Sequence, residues 1–240
     1  MSRREAYLLA GPTASGKSAA AALLARARGA AILSADSMLV YQGMDVGTAK
    51  PSREERLEFS MGGVDIVTPA EHFSSGAWLR AAADWLASIP ASRPLVIVGG
   101  TGLYFSALLR GLDQRWTNPP PAYPVLQVER TLLHARIASR LDTMFLDGLA
   151  AEVRSLRAQY PVWSDTASAA IGYKEFIDGL PPEAVREKIL IRTRQLAKRQ
   201  DTWFRHQATP LYIPIGETVE ETAARVDALW RSHGPWLVDL

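Results

Sequence analysis

The segment Gly11-Pro12-Thr13-Ala14-Ser15-Gly16-Lys17-Ser18 follows an apolar run, Ala6 to Ala10, and leads into an alanine- and leucine-rich run, Ala19 to Ala27. That order reads as strand, glycine loop, helix. The spacing fits G-x-x-x-x-G-K-[ST], a phosphate-binding loop. Gly11 and Gly16 allow backbone conformations that aim successive N–H groups at one point. The helix that follows adds its positive N-terminal end. Lys17 supplies a mobile point charge, and Ser18 a hydroxyl for Mg²⁺. These eight residues are therefore expected to cradle a di- or triphosphate.

Outward from the loop, strand-like runs recur at Tyr7–Ala10, Ala31–Ser34, Val64–Val67, Leu95–Gly99, Val125–Val128 and Leu211–Ile215. Helical patterns lie between most of them, at Lys17–Arg28, Gly76–Ser88, Leu103–Leu109 and along a long stretch from Arg130 to Ala158. Such alternation predicts an α/β fold, a P-loop NTPase-like parallel sheet flanked by helices. Runs such as Leu95-Val96-Ile97-Val98 are continuously apolar, as parallel strands buried on both faces should be. Pro181-Pro182 opens one long basic C-terminal helix to Gln207, about 39 Å at ~1.5 Å per residue. Its Val185, Ile189, Leu196 and Trp203 share a seam, and Arg192, Arg194, Lys198, Arg199 and Arg205 spread over the opposite arc. That arc is either a solvated face or one that meets phosphates. A last helix is expected over Val219 to Arg231.

Composition narrows the function classes. The chain has 240 residues, 48% of them hydrophobic, and no cysteine. A single domain over residues 1–240 is expected, and thiolate catalysis, disulfides and zinc-thiolate sites are excluded. No apolar run approaches the ~20 residues of a membrane helix. Met1 to Glu5 is charged and runs straight into a strand, unlike a signal peptide, so a cytoplasmic enzyme is expected. Net charge is only +2, which says little about a nucleic-acid partner. His72, His134, His206 and His233 are scattered without metal-ligand spacing.

Three further groups carry chemistry. The second strand ends in Ser34-Ala35-Asp36-Ser37. Ligands of open parallel sheets bind beyond the carboxyl ends of strands, so Asp36 is expected to face the crevice of Lys17. It can act there as general base or Mg²⁺ anchor, or simply cap a helix. The strand at Leu95 ends in Gly99-Gly100-Thr101-Gly102, where a kinase would place an acidic residue for Mg²⁺. Those glycines permit close approach of backbone to a ligand, and Thr101 offers a hydroxyl to a phosphate oxygen. Arg136 and Arg140 lie four apart on one helix face, a spacing suited to clamping a diphosphate or to a solvated surface.

Together these stretches resemble the tRNA dimethylallyltransferase family. The matching segments are GPTASGKS (Gly11–Ser18), SADSMLVYQGMDVGTAKP (Ser34–Pro51), VGGTGLYFSALLRGL (Val98–Leu112), AIGYKE (Ala170–Glu175) and IRTRQLAKRQDTWFRH (Ile191–His206), with a weaker HARIASRLDTM (His134–Met144). The resemblance implies transfer of a dimethylallyl group from dimethylallyl diphosphate to N6 of adenine 37 in the tRNA anticodon loop. It implies that the phosphate loop holds the prenyl donor and that Asp36 takes the proton from N6. Lys17, Ser18 with Mg²⁺, Thr101 and one of Arg136 and Arg140 would stabilise the leaving diphosphate. Asp36, Ser37, Met38, Leu39 and Thr101 would meet the acceptor, and the enzyme would work as a monomer.

The chain departs from that family in three places. Gly111 to Pro124 is a short Pro-rich bridge where the family carries a helical insertion that grips the anticodon stem-loop. Leu39 stands where a glutamine usually reads the tRNA, and Gly62-Gly63 replaces a frequent histidine pair. All three bear on the acceptor. Adenylate isopentenyltransferases, which prenylate free adenine nucleotides, also lack the insertion, so a free nucleotide is the alternative acceptor. A small-molecule P-loop kinase and a non-catalytic RNA-binding relative are the competing classes.

Overall fold

Five parallel strands and one antiparallel strand build the sheet of the computed structural model, which describes residues 4–110, 122–207 and 210–238. In chain order the strands are β1 (Arg4–Ala10), β2 (Ala31–Ala35), β3 (Leu95–Gly99), β4 (Tyr123–Gln127), β5 (Pro210–Pro214) and β6 (Trp236–Val238). The parallel order is β2-β3-β1-β4-β5, and β6 pairs antiparallel with the start of β1. The helices are α1 (Lys17–Arg28), α2 (Arg53–Glu58), α3 (Ser75–Ser88), α4 (Gly102–Arg110) and α5 (Arg130–Leu146), then α6 (Leu149–Gln159), α7 (Asp165–Ser168), α8 (Lys174–Ile177), α9 (Pro182–Arg205) and α10 (Val219–His233). No helix of the described residues is long and apolar enough to cross a membrane.

The sheet is buried on both faces, and strand alternation sorts its side chains between two cores. Leu9, Ile32, Val96, Val98 and Leu126 face α1 and α10. Leu8, Leu33, Ile97 and Val125 face the layer that holds α3, α4 and α9. On α1, Ala20, Ala21 and Ala25 are fully buried, and their small side chains let the helix lie close on the strands. Trp78 of α3 is also fully buried; its indole N–H donates to the Ser34 carbonyl at 3.1 Å, and its ring stacks on Tyr104 at 4.6 Å.

Several expectations are corrected here. Val64–Val67 is not a strand: the segment makes one isolated bridge, Val67 with Tyr41, and Gly62 just before it makes another with Leu33. Gly63 and Asp65 both hold positive φ, which prevents extension. Asp65 is pinned in that conformation by Lys50 and Arg56. The helical stretch from Arg130 to Ala158 is two helices, broken at Gly148, whose φ of 92° caps α6. Pro124 belongs to β4 and not to a bridge; it is tolerated because β4 meets β1 only from Val125 onward. Pro119-Pro120-Pro121 and the rest of 111–121 lie outside the described residues. The short α2 and β6 were not expected, although Ser52 and Glu55 form a capping box visible as S-x-x-E.

The long helix ends at Arg205. Val185 and Ile189 of its seam are buried, but Leu196 and Trp203 are only half-buried. Phe204 is the deepest anchor: fully buried, it packs edge-on to Phe105 at 5.5 Å and next to Tyr123. Arg192 turns away from solvent to pair with buried Glu175 at 2.5 Å. The basic arc is therefore not one surface. Replacing Phe204→Ala removes the ring that seats α9 on the sheet. The expected loss is about 3–5 kcal/mol of stability, read from the midpoint of urea unfolding at unchanged slope.

Candidate active site

The carboxyl ends of β1, β2 and β3 converge, and each delivers one expected group. The loop after β1 turns back on itself, with Ser15 N donating to the Pro12 carbonyl at 3.3 Å. Gly16 then takes φ 88° and caps α1 without any side-chain hydrogen bond. A side chain here would be strained, and the usual Ser or Asp cap would consume an N–H of the first turn. No acidic residue stands in that first turn either. The positive end of the helix is left for a ligand.

Two cations are drawn in beside this loop, Lys17 buried and Arg140 half-buried. Lys17 is 9% exposed, and its Nζ donates to the Pro12 carbonyl at 3.1 Å. Burial pushes its ammonium down to about 8; Asp36 opposes the shift and Arg140 adds to it. Arg140 reaches across from α5, donating to Thr13 Oγ1 at 3.3 Å and to the Thr48 carbonyl at 3.0 Å. Burial lowers its pKa as well, again opposed by Asp36. One carboxylate thus faces two desolvated cations, a balance that a bound anion would restore. Arg136 approaches from outside, 3.5 Å from the Ser15 carbonyl.

Asp36 uses Oδ1 to accept from Met38 N at 2.9 Å, closing the turn after β2. Thr101 ties that turn to β3. Its amide donates to the Ala35 carbonyl at 3.2 Å, and its Oγ1 accepts from Ser37 N at 3.0 Å. The Thr101 hydroxyl donates to Ser37 Oγ at 3.2 Å, so it reaches a ligand only by rotating away from Ser37. The glycines around Thr101 make room for protein. A Cβ on Gly100 would come within 2.5 Å of Gln200 Nε2, and one on Gly102 within 2.3 Å of the Trp203 ring.

Two cavities meet at this point. The smaller, about 280 Å³, is lined by Lys17, Ser18, Ser34 and Leu39. The larger, about 560 Å³, is lined by Ser37, Met38 and Thr101, by apolar Ile137, Leu141, Met144 and Ile171, and by Gln200. Thr13, Asp36, Thr48 and Arg140 line both. Leu39 alone of the expected acceptor residues is separated from the larger cavity. No group of three or more His, Asp or Glu able to hold a metal occurs among the described residues.

Gln200 and Glu152 were not anticipated. Gln200 of α9 accepts from Thr13 N at 2.8 Å and donates to the Gly100 carbonyl at 3.0 Å, joining the phosphate loop to β3. Its signal is present in retrospect: it is a polar residue between Leu196 and Trp203 on the apolar seam. Glu152 accepts from the amides of Asp45, Val46 and Gly47 and from the Tyr173 hydroxyl, fixing the loop that offers Thr48 to Arg140. The glycine pair at 62–63 also has a physical cause. A side chain at Gly62 would strike Trp85 at 2.3 Å, and one at Gly63 the Ser34 carbonyl at 2.3 Å.

Comparison with known proteins follows the same outline. Residues 39–124 and 115–207 match the family model described as IPP transferase, in two pieces that overlap at 115–124. Residues 4–60 match one described as isopentenyl transferase. The chain is 32% identical to a tRNA dimethylallyltransferase of Burkholderia thailandensis, covering 95% of each chain. That alignment spans 309 positions, more than the 240 residues here, so it opens gaps in this chain. A tRNA dimethylallyltransferase of Burkholderia mallei is 33% identical over 96% of this chain and 95% of its own. Among solved structures, a tRNA isopentenylpyrophosphate transferase of Staphylococcus epidermidis superposes with a TM-score of 0.83 at 26% identity, covering 95% of this chain and 99% of its own. One from Bacillus halodurans superposes with a TM-score of 0.80 at 26% identity, over 96% and 98%.

The lowered Lys17 pKa makes anion binding depend on pH. Below about 8 Lys17 is charged in the free protein, and affinity for inorganic pyrophosphate should be flat once the ligand's own ionisation is subtracted. Above that value binding must first recapture a proton, and affinity should fall by up to about tenfold per pH unit, a cost of 1.36 kcal/mol each. Calorimetry in buffers of different ionisation enthalpy checks both the slope and the proton uptake.

Proposed function

This chain belongs to the IPP transferase family, and we propose that it moves a dimethylallyl group from dimethylallyl diphosphate to the exocyclic N6 of adenine 37 in tRNA. The observation that carries this reading is the junction of the two cavities at Asp36 and Arg140. On one side lie the phosphate loop, Lys17 and Ser18; on the other lies a chamber with an apolar lining. A donor with a charged diphosphate and a hydrocarbon tail needs such a pairing.

In this reading the allylic C–O bond breaks as a C–N bond to N6 forms. The N6 lone pair is delocalised into the adenine ring, which makes the amine a weak nucleophile. Asp36, with one oxygen anchored by Met38 N, takes the N6 proton as the bond forms. The electron pair of the broken bond leaves with the diphosphate. Lys17, Arg140 and the N-terminus of α1 meet that charge, the kind of preorganised stabilisation in which one donor is worth roughly 3–4 kcal/mol. Arg140 is the better placed of the two arginines, since it lines both cavities. Thr101 holds Ser37 and thereby the turn that aims Asp36. The Ser18 hydroxyl, a hard oxygen donor at the start of α1, is the group that would hold a Mg²⁺. Bound there, the ion would neutralise part of the leaving charge.

A kinase is disfavoured by β3, which ends in Gly99-Gly100-Thr101 and offers no carboxylate to a metal–nucleotide complex. We further propose that the segment this chain lacks relative to its relatives falls ahead of β4, within or next to positions 111–121. The two overlapping matches at 115–124 and the gapped alignment support this. The proposed enzyme works as a monomer, and a tRNA substrate suits the cytoplasm.

Labelled dimethylallyl diphosphate offered with tRNA, with an anticodon stem-loop and with AMP tests the acceptor; transfer to AMP alone would overturn the tRNA assignment. Asp36→Asn should lower kcat by about 10²–10⁴-fold. Because Asp36 is the negative neighbour of Lys17 and Arg140, donor binding should be unchanged or tighter in that variant. Lys17→Ala should do the opposite and weaken the donor itself. Titration calorimetry with a thiodiphosphate analogue separates the two, and normal turnover in the Asp36 variant would end its role as base.

A further inference from the structure

Arg140 stands in an otherwise apolar stripe of α5. Ile137, Arg140, Leu141 and Met144 are spaced by three and four, so they share a face, and all four line the larger cavity. Ile189 and Leu196 line the same cavity from α9. Ile137, Leu141 and Ile189 are buried, whereas Met144 is half-buried and packs against the edge of the core. The polar groups near Ile189 are already engaged. Arg192 pairs with Glu175 at 2.5 Å and donates to the Ala169 carbonyl at 3.2 Å, and Thr193 Oγ1 donates to the Ile189 carbonyl at 2.8 Å. This end of the chamber therefore offers a ligand hydrocarbon contact and few hydrogen bonds.

The slot between the two helices is pinned at both ends. At the phosphate loop, Arg140 and Gln200 both meet Thr13, at 3.3 and 2.8 Å. Further along α5, Asp142 pairs with Arg186 at 2.6 Å and ties the helix to α9 again. From Arg140 to Met144 is one turn, about 6 Å of helix. The four bonds from the bridging oxygen to the end of a five-carbon allylic tail advance about 5 Å. A second five-carbon unit needs about as much again. A donor whose diphosphate meets Arg140 thus reaches Met144 with its first unit.

We propose that this stripe of α5 measures the hydrocarbon tail of the donor, and that Met144 is the stop that limits the tail to one five-carbon unit. Ile137 and Leu141 flank the tail and are fixed by the core. Met144, unbranched and half-buried, is the member of the stripe that can be shortened without opening the core. The proposal rests on the prenyl-donor reading above and names the side chain that selects among such donors.

Titration calorimetry tests it with three probes: inorganic pyrophosphate and the thiodiphosphate analogues of the dimethylallyl and ten-carbon geranyl donors. The native protein is compared with Met144→Ala, with the milder Met144→Val, and with Leu146→Ala, a control on the same helix whose side chain is 87% exposed and lines neither cavity. In the native protein the dimethylallyl analogue should bind at least tenfold tighter than pyrophosphate, because its tail leaves water. It should also bind at least tenfold tighter than the geranyl analogue. Met144→Ala should shrink that second ratio below threefold, with Met144→Val between and Leu146→Ala as native. Pyrophosphate affinity should stay within twofold throughout, which reports an intact phosphate loop in each variant. Geranyl diphosphate should then yield a ten-carbon product with Met144→Ala and none with the native protein. Equal binding of the two analogues by the native protein, or a native ratio in both Met144 variants, would overturn the proposal. If the ratio shifts as stated while no adenine acceptor is prenylated, the stop stands and the transfer reading falls. If an adenine is prenylated while the ratio never moves, the transfer reading stands and the stop falls.

Discussion

Two cations, Lys17 buried and Arg140 half-buried, with one carboxylate near both, set the terms for the rest of this structure. Desolvation pushes both towards losing their protons, and Asp36 opposes it at each. The isolated protein keeps them there because the surrounding elements leave no alternative. Lys17 is confined against the Pro12 carbonyl, and Arg140 spans from Thr13 to Thr48. Such a site has a standing deficit of negative charge, which a bound anion would offset. In the proposed reaction, binding energy and catalytic electrostatics would come from the same groups. The charge growing on the leaving diphosphate would then appear where positive potential was already fixed, with little reorganisation required.

The parallel sheet is what brings these groups within reach of one another. β1, β3 and β2 lie side by side in register, so Ala10, Gly99 and Ala35 end at one level. Each chain exit there contributes a different function: the phosphate loop, the Thr101 turn and the Asp36 turn. Gln200 locks two of the exits together from above with a single amide group. Its donor and acceptor are both used, so neither glutamate nor lysine could replace it. The small residues at Gly100 and Gly102 exist to let Gln200 and Trp203 come down onto the loop. Closeness to α9, as well as to any ligand, explains that glycine run.

How much of this could be read in the sequence depends on the range of the interactions involved. The loop and α1 follow from local spacing, and α1 begins and ends where the pattern places it. Asp36, Thr101, Arg136 and Arg140 were legible because strand ends and helix faces fix their directions. Val64–Val67 misled because composition favours a strand, while two positive-φ residues and the Asp65 ion pairs override it. The exposure of α9 was misjudged because its partners are distant in sequence. Nothing local to Arg192 says that Glu175 is waiting inside the fold. Glu152 escaped notice for the same reason: it binds backbone amides more than a hundred residues away, and amides leave no mark in a sequence.

That last interaction shows why segments remote from the phosphate loop belong to one functional unit. Glu152 of α6 gathers the amides of Asp45, Val46 and Gly47 and receives the Tyr173 hydroxyl. Gly47 lacks a side chain because the Tyr173 ring occupies the space, 2.5 Å from where a Cβ would stand. The loop so held presents the Thr48 carbonyl to Arg140, and Arg140 in turn meets Thr13 of the phosphate loop. The stretches around Asp45, Glu152 and Tyr173 therefore act in series on one guanidinium. Loosening any of them would free Arg140 to leave the cavity without touching a residue that meets the donor. Their spacing in the chain is a consequence of that series, and of the layer that folds over the carboxyl ends of the sheet.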